Sequence, residues 1–219
     1  MFIALWVLGC GFHAGAATVD ELISTWLNKQ TNVQTWTADF VQTRSLKSLA
    51  QPLTATGHVW FAAPNRFRWE LGNPPQTIAV REPNEMFVIY PRLKRAERYP
   101  LSGVEAGPWR DVMALLEAGF PRSQQEMQSQ YNVLSTSMTN DACEVALQPK
   151  SAAARRMMPK IKIGFSTNDF SLRSTELQFA DGSLLRNDFK NPELNPKLED
   201  TLFAPKLESD FKIVEPLKK

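Results

Sequence analysis

Histidine and cysteine are scarce in this chain of 219 residues, two of each, and neither pair is placed to build a reactive centre. His13 is expected to leave with an N-terminal signal, and His58 is then a single histidine with no nearby acidic or cysteine ligand spacing. The sequence therefore predicts neither a zinc site nor a Ser-His-Asp triad. His58, between Gly57 and Val59 in a strand-like run, reads as a satisfied or solvent-facing side chain. A glycine-rich phosphate loop is absent, and no nucleophile stands beside a base, so no cofactor and no enzymatic activity are expected. An excess of one charge is missing too. Lys and Arg number 25 against 23 Asp and Glu, and a net charge of +2 predicts no nucleic-acid partner. The short basic clusters Lys94-Arg95 and Arg155-Arg156 read as solvated faces. There is no internal repeat or low-complexity tract, and the apolar runs are too short to span a bilayer.

Charge is also missing from residues 1–17, MFIALWVLGCGFHAGAA, which carry an apolar run from Phe2 to Leu8 and end in small residues. This segment reads as a secretory signal cleaved at Ala14-Gly15-Ala16, although no basic residue follows Met1. Residues 18–219 are then the mature chain, one domain in an exported setting. Val7-Leu8-Gly9-Cys10 is an imperfect lipobox, and lipidation of Cys10 is the alternative to its removal with the signal. With Cys10 gone, Cys143 is alone in the mature chain and no intramolecular disulfide can form.

What is present is a helix followed by many short strands. Thr18-Val19-Asp20-Glu21 is a capping box, and Leu22, Ile23, Trp26 and Leu27 give an apolar face to a helix from Thr18 to Gln30. From Val33 the period changes to two, with Trp36, Ala38 and Phe40 on one face of a strand. Strands follow at 54–62, 66–71, 76–81, 85–90 and 93–99, joined by Ala63-Pro64-Asn65, Gly72-Asn73-Pro74-Pro75, Pro83-Asn84 and Pro91. Connections this short make antiparallel meanders. In Arg66-Phe67-Arg68-Trp69-Glu70-Leu71 the apolar residues take one face and three charges the other. Pro108 to Gly119 predicts a second helix with Val112, Met113, Leu115 and Leu116 as its stripe, and 123–130 a short surface helix. Strands resume at 131–138 and 141–148. Ser151 to Met158 is expected as a loop or turn of helix, a candidate lid element. Further strands at 159–165, 170–179 and 183–190 follow, the last pair joined at Asp181-Gly182, and a proline-rich stretch at 191–196 precedes a final strand at 211–214.

The run Ala38-Asp39-Phe40-Val41-Gln42, the segment Gly57-His-Val-Trp-Phe-Ala-Ala-Pro-Asn-Arg-Phe-Arg-Trp-Glu70, then Pro75-Gln76-Thr77-Ile78 and Tyr90-Pro91 together resemble the periplasmic outer-membrane lipoprotein carrier family, LolA-like, from the first helix to about Pro205. The resemblance implies a mainly β fold: a strongly curved antiparallel sheet forming an incomplete β-barrel, with helices and a loop as a lid over a hydrophobic cavity. It implies that Phe40, Phe67 and Trp69 match cavity-lining aromatics and that the Met113 region matches the lid helix. The full candidate lining is Phe40, Trp60, Phe67, Trp69, Ile78, Phe87, Ile89, Met113, Leu116, Ile161, Ile163 and Phe165.

The same resemblance implies a periplasmic, monomeric carrier that shuttles acylated lipoproteins or other lipids from an inner-membrane transporter to an outer-membrane receptor. A sensory or regulatory lipid- or lipoprotein-binding module of the envelope, or a carrier of another lipid or glycolipid, is the alternative, because one fold hosts several functions. In the family pattern an arginine that hydrogen-bonds the lid immediately precedes the Pro-Asn pair; here that position is Ala63. Arg44, Arg66 and Arg68 are the arginines expected to compensate.

Overall fold

Thr18 opens the first helix, α1 (Val19–Gln30), through the reciprocal pair its sequence predicts: the backbone N–H of Glu21 donates to the Thr18 hydroxyl, and that of Thr18 to the Glu21 carboxylate at 2.8 Å. Two amide donors that a helix end leaves without partners are thereby satisfied. Ile23, Trp26 and Leu27 are the buried face. The computed structural model describes residues 18–101 and 123–216. The expected signal at 1–17 and the expected helix from Pro108 to Gly119, with Met113 and Leu116, lie outside the described residues.

Twelve strands follow α1: β1 (Thr35–Ser45), β2 (Leu53–Ala62), β3 (Arg66–Leu71), β4 (Thr77–Arg81), β5 (Glu85–Tyr90), β6 (Arg95–Pro100), β7 (Tyr131–Met138), β8 (Ala142–Pro149), β9 (Lys160–Ser166), β10 (Leu172–Gln178), β11 (Leu184–Leu194) and β12 (Lys212–Val214). They form one curved, unclosed sheet in the order β12-β6-β5-β4-β3-β2-β1-β11-β10-β9-β8-β7. Two meanders, β1 to β6 and β7 to β11, are joined along β1 and β11, whose register runs from Trp36 opposite Leu194 to Ser45 opposite Leu184. Every neighbouring pair is antiparallel except β12 with β6. Among the described residues, no helix is long and apolar enough to cross a membrane.

Three local readings change or sharpen. The 151–158 stretch holds a helix, α3 (Ala152–Met157), capped by Ser151, whose buried Ala154 and following Met158 reach into the core. A second short helix, α2 (Gln124–Gln130), capped by Ser123, stands where the sequence places it. The strand expected to end at Lys190 runs further: β11 continues through Pro192 to Leu194. A register shift between Thr37 and Asp39, with Asn191 at φ 50°, absorbs the residue that cannot donate to the ladder.

Apolar side chains fill both faces of this sheet, unequally. The face beneath α1 carries the main core, which takes in Trp26, Trp36, Phe40, Phe61, Val145, Ile163, Phe165 and Phe189. The opposite face carries a smaller cluster of Val80, Phe87, Ile89 and Ala96, closed over by Leu207 and Phe211 of the C-terminal segment.

Candidate functional site

Strand register decides which predicted residues share a surface, because paired residues in adjacent strands point the same way. Phe40 pairs with Gly57 and Phe189, Phe61 with Phe67, Val59 with Trp69, and Gly57 with Leu71. Cys143 pairs with Phe165, Val145 with Ile163, and Leu147 with Ile161. Phe40, Phe67, Trp69, Ile161, Ile163 and Phe165 therefore lie together on the α1-covered, inner face. Within it they differ in cover. Ile161, Ile163 and Phe165 are packed shut, with the Trp26 ring stacked on Phe165 at 4.8 Å between centroids. Phe67, Trp69 and Leu71 are only half-buried.

The inner face is densest in aromatics where these two zones meet. Phe40 tilts against Trp69 with centroids 4.0 Å apart, and Phe189 meets Trp36 at 5.2 Å and Trp69 at 6.1 Å, edge to face. Gly57 makes this possible: a Cβ there would stand 2.2 Å from the Phe40 ring, so only a residue without a side chain lets the ring lie on β2. Next to Trp69 the row continues through Ala79 to Val88, both half-buried.

Trp60, Ile78, Phe87 and Ile89 do not belong to this lining. Trp60 pairs with Arg68, Ile78 with Glu70, Phe87 with Val80, and Ile89 with Ile78, which puts all four on the outer face. The single expected lining is thus corrected to two surfaces. Phe87 and Ile89 are buried because the C-terminal segment covers them. The residues missed on the inner face include Leu71, Ala79 and Val88, together with Phe61, Leu177 and Phe189. Carrying the parity of Phe67 and Trp69 back across the Ala63-Pro64-Asn65 turn would have selected Phe61 and Val59 over Trp60.

Polar groups bound the apolar zone and largely satisfy one another. Across β1, β11 and β10, Gln42 donates to Asn187 at 3.0 Å, and Asn187 donates to Thr175 at 3.1 Å. On β6, Glu97 accepts from Tyr99 and from Arg95, both at 2.6 Å; burial and this bond push the Tyr99 phenol far above its usual range. Arg81, opposite Phe67, is an inner-face arginine with 8% of its surface exposed, and burial lowers its pKa. Ala63 packs against the main core. Arg66 and Arg68 are held on the outer face, by Asp200 at 2.8 Å and Glu70 at 2.7 Å, whereas Arg44 stands exposed at an inner-face position near the end of β1.

His58 lies on the outer face in a row with Thr37 and Asp39. Its Nδ1 stands 2.8 Å from Asp39 Oδ1 and its Nε2 2.6 Å from the Thr37 hydroxyl, which also lies 2.9 Å from the Val59 carbonyl. The bond from His58, aided by Asn191, holds the Asp39 carboxyl below its usual range. Thr37 is buried, and the row cross-links β1 to β2. A cleft of about 400 Å3 opens beside it, with Asp39, His58, Glu70 and Lys190 on its walls together with the apolar Phe40, Val41 and Pro75. Among the described residues no cluster of His, Cys, Asp or Glu could hold a metal ion.

The profile of the family described as outer membrane lipoprotein carrier protein LolA matches residues 31–206. A comparison with curated proteins finds no match. Among solved structures, an uncharacterized conserved protein from Thermus thermophilus is 10% identical with a TM-score of 0.51, covering 90% of this chain and 98% of its own. A putative outer membrane lipoprotein-sorting protein domain from Vibrio parahaemolyticus is 11% identical, with a TM-score of 0.43 and coverage of 83% and 95%. The MucA/MucB complex of Pseudomonas aeruginosa contains a chain 17% identical, with a TM-score of 0.44 and coverage of 87% and 62%.

Proposed function

This chain belongs to the outer membrane lipoprotein carrier (LolA) family, and on that premise we propose that it is a periplasmic carrier whose inner sheet face holds the acyl chains of lipoproteins. The observation that supports this reading is the half-buried strip Phe67, Trp69, Leu71, Ala79 and Val88, continuous with the closed aromatic cluster around Phe40 and Phe189. Apolar surface left partly open beside a packed core is where methylenes gain by leaving water. Burial at about 0.8 kcal/mol per CH₂ gives an upper limit on the order of 10 kcal/mol for a long chain, enough to keep a lipid off the membrane during transit. The protein's part is binding and release; no covalent step and no cofactor are required of it. An inner-membrane transporter is the donor and an outer-membrane receptor the acceptor. The signal-like segment at 1–17 supports the periplasmic setting.

A release assay tests this. Incubated with inner-membrane vesicles that carry an acylated lipoprotein and its transporter, the purified protein should bring lipoprotein into the supernatant as a one-to-one complex. Lipoprotein that stays on the vesicles, while the protein binds one membrane protein stably, would instead support a sensory module.

A further inference from the structure

Charge is nearly balanced over the chain but not along the strands. The turns at one rim of the sheet are 46–52 (β1 to β2), 72–76 (β3 to β4), 91–94 (β5 to β6), 150–159 (β8 to β9) and 179–183 (β10 to β11). They carry Lys47, Arg92, Lys94, Lys150, Arg155 and Arg156, against Asp181 as their acid. The turns at the other rim, 63–65, 82–84, 139–141, 167–171 and 195–199, carry Glu82, Asp141, Asp169 and Glu199, against Lys197.

Apolar tips follow the same division. Leu93 is 70% exposed, and Leu49 and Met157 are each 43% exposed. Each projects from a different turn of the basic rim, and each has cations beside it: Lys47 near Leu49, Arg92 and Lys94 around Leu93, and Arg155 and Arg156 before Met157. At the acidic rim the exposed large apolar residues, Met138 and Leu194, are the last residues of β7 and β11 and have no Lys or Arg directly beside them in the chain. Two of the basic turns touch a common neighbour. The Ala180 N–H donates to the Met157 carbonyl at 2.9 Å, and the Lys47 side chain lies against Gly182 of the same turn.

These cations are mostly not committed to acids. Lys94 is paired with Asp210, and Lys47 lies near Asp181, whose carboxylate is occupied by the backbone N–H and hydroxyl of Ser183. Arg155, Arg156 and Lys150 bond to backbone carbonyls, of Pro149 and Lys150, of Ala152, and of Gln128 respectively. None of those three makes an ion pair among the described residues. Core residues Ala154 and Met158 fix α3 from below, so its arginines are presented on a supported element.

We propose that this rim, with Leu49, Leu93 and Met157 inserted between Lys47, Arg92, Lys94, Lys150, Arg155 and Arg156, docks the protein on the surface of an anionic phospholipid bilayer. Apolar tips that enter the headgroup boundary, with cations held at headgroup level, are the combination that binds such surfaces reversibly. The acidic rim then faces away from the membrane, which fixes the orientation of the half-barrel. The docking is a property of the turns and does not depend on what the inner face carries.

Co-sedimentation with vesicles tests it, using phosphatidylglycerol mixed into phosphatidylcholine, phosphatidylcholine alone, and low and high salt. The protein should bind the anionic vesicles at least tenfold better than the neutral ones, and lose that preference at high salt. A cation near an anionic surface strengthens binding about fivefold, so Arg155→Gln with Arg156→Gln should weaken it by roughly 25-fold. Leu93→Ser with Met157→Ser should remove the part that resists salt, and Leu194→Ser at the opposite rim should change nothing. Equal binding to both vesicles, no binding by the folded protein, or unchanged binding in the arginine variant would overturn the proposal. Binding to polyglutamate without binding to vesicles would assign the rim to an acidic protein partner and also overturn it.

Discussion

At the scale of single residues, the inner face is organised by one absence of a side chain. Gly57 lets the Phe40 ring lie on β2 and reach Trp69, so Gly57→Ala would drive a methyl group to 2.2 Å from the ring and 2.3 Å from the Glu70 carbonyl. The ring must leave its place or the strands must separate. Overpacking of this kind costs about 1–3 kcal/mol, and the upper end applies because one clash is with backbone. Thermal unfolding of the variant, monitored by near-ultraviolet circular dichroism, should show a lower midpoint and a weakened aromatic signal. An unchanged midpoint and spectrum would mean that Phe40 is less fixed than described. Trp26 works from the opposite side: stacked on Phe165, it closes the zone above Ile161 and Ile163 that the sequence assigned to ligand.

Turns set the registers from which the two faces follow, and Asp169 in the β9–β10 turn shows how one is held. Burial opposes its charge, but the backbone N–H and hydroxyl of Ser171 at 3.0 and 2.7 Å, the Ser166 hydroxyl and Arg173 outweigh it and bring its pKa to about 2. A carboxyl whose folded pKa is depressed from the usual 3.8 contributes stability above that value and loses it as the pH falls toward about 2. The gap in unfolding midpoint between the wild type and Asp169→Asn should therefore be widest above about pH 4 and shrink toward pH 2. A gap that stays constant across this range would show that the charge is not what holds the turn. Much at this scale was legible in the sequence. The Thr18 and Glu21 capping pair, the Asp181-Gly182 turn with Gly182 at φ 80°, and the alternation in Arg66 to Leu71 each name their own conformation. Strand β5 does not. Met86, Phe87, Val88, Ile89 and Tyr90 are all apolar or aromatic, so the period of two carries no direction, and only pairing with β4 and β6 decides which side chain faces α1. The continuation of β11 past Lys190 was not legible for a related reason, since the bulge that accommodates Pro192 depends on a partner strand about 150 residues away in the chain.

For the whole molecule, the consequence is a sheet with apolar residues on both faces, covered by different segments. Leu207 and Phe211 close the outer cluster over Val80, Phe87 and Ile89, a contact between distant segments that no local pattern announces. Among the described residues the inner face is packed shut under α1, whereas Phe67, Trp69, Leu71, Ala79 and Val88 on β3 to β5 are half-buried, and the turns at the two ends of the strands differ in charge. Trp60 and Trp69 therefore form a matched pair: both are tryptophans, half-buried and on neighbouring strands, but on opposite faces. Native mass spectrometry of the protein purified from its own envelope, as wild type, Trp69→Glu and Trp60→Glu, tests the central claim most directly. If the inner face carries acyl chains, an acylated species should accompany the wild type and Trp60→Glu and be missing from folded Trp69→Glu. An apo mass for all three, or loss of the ligand from Trp60→Glu with retention by Trp69→Glu, would contradict it.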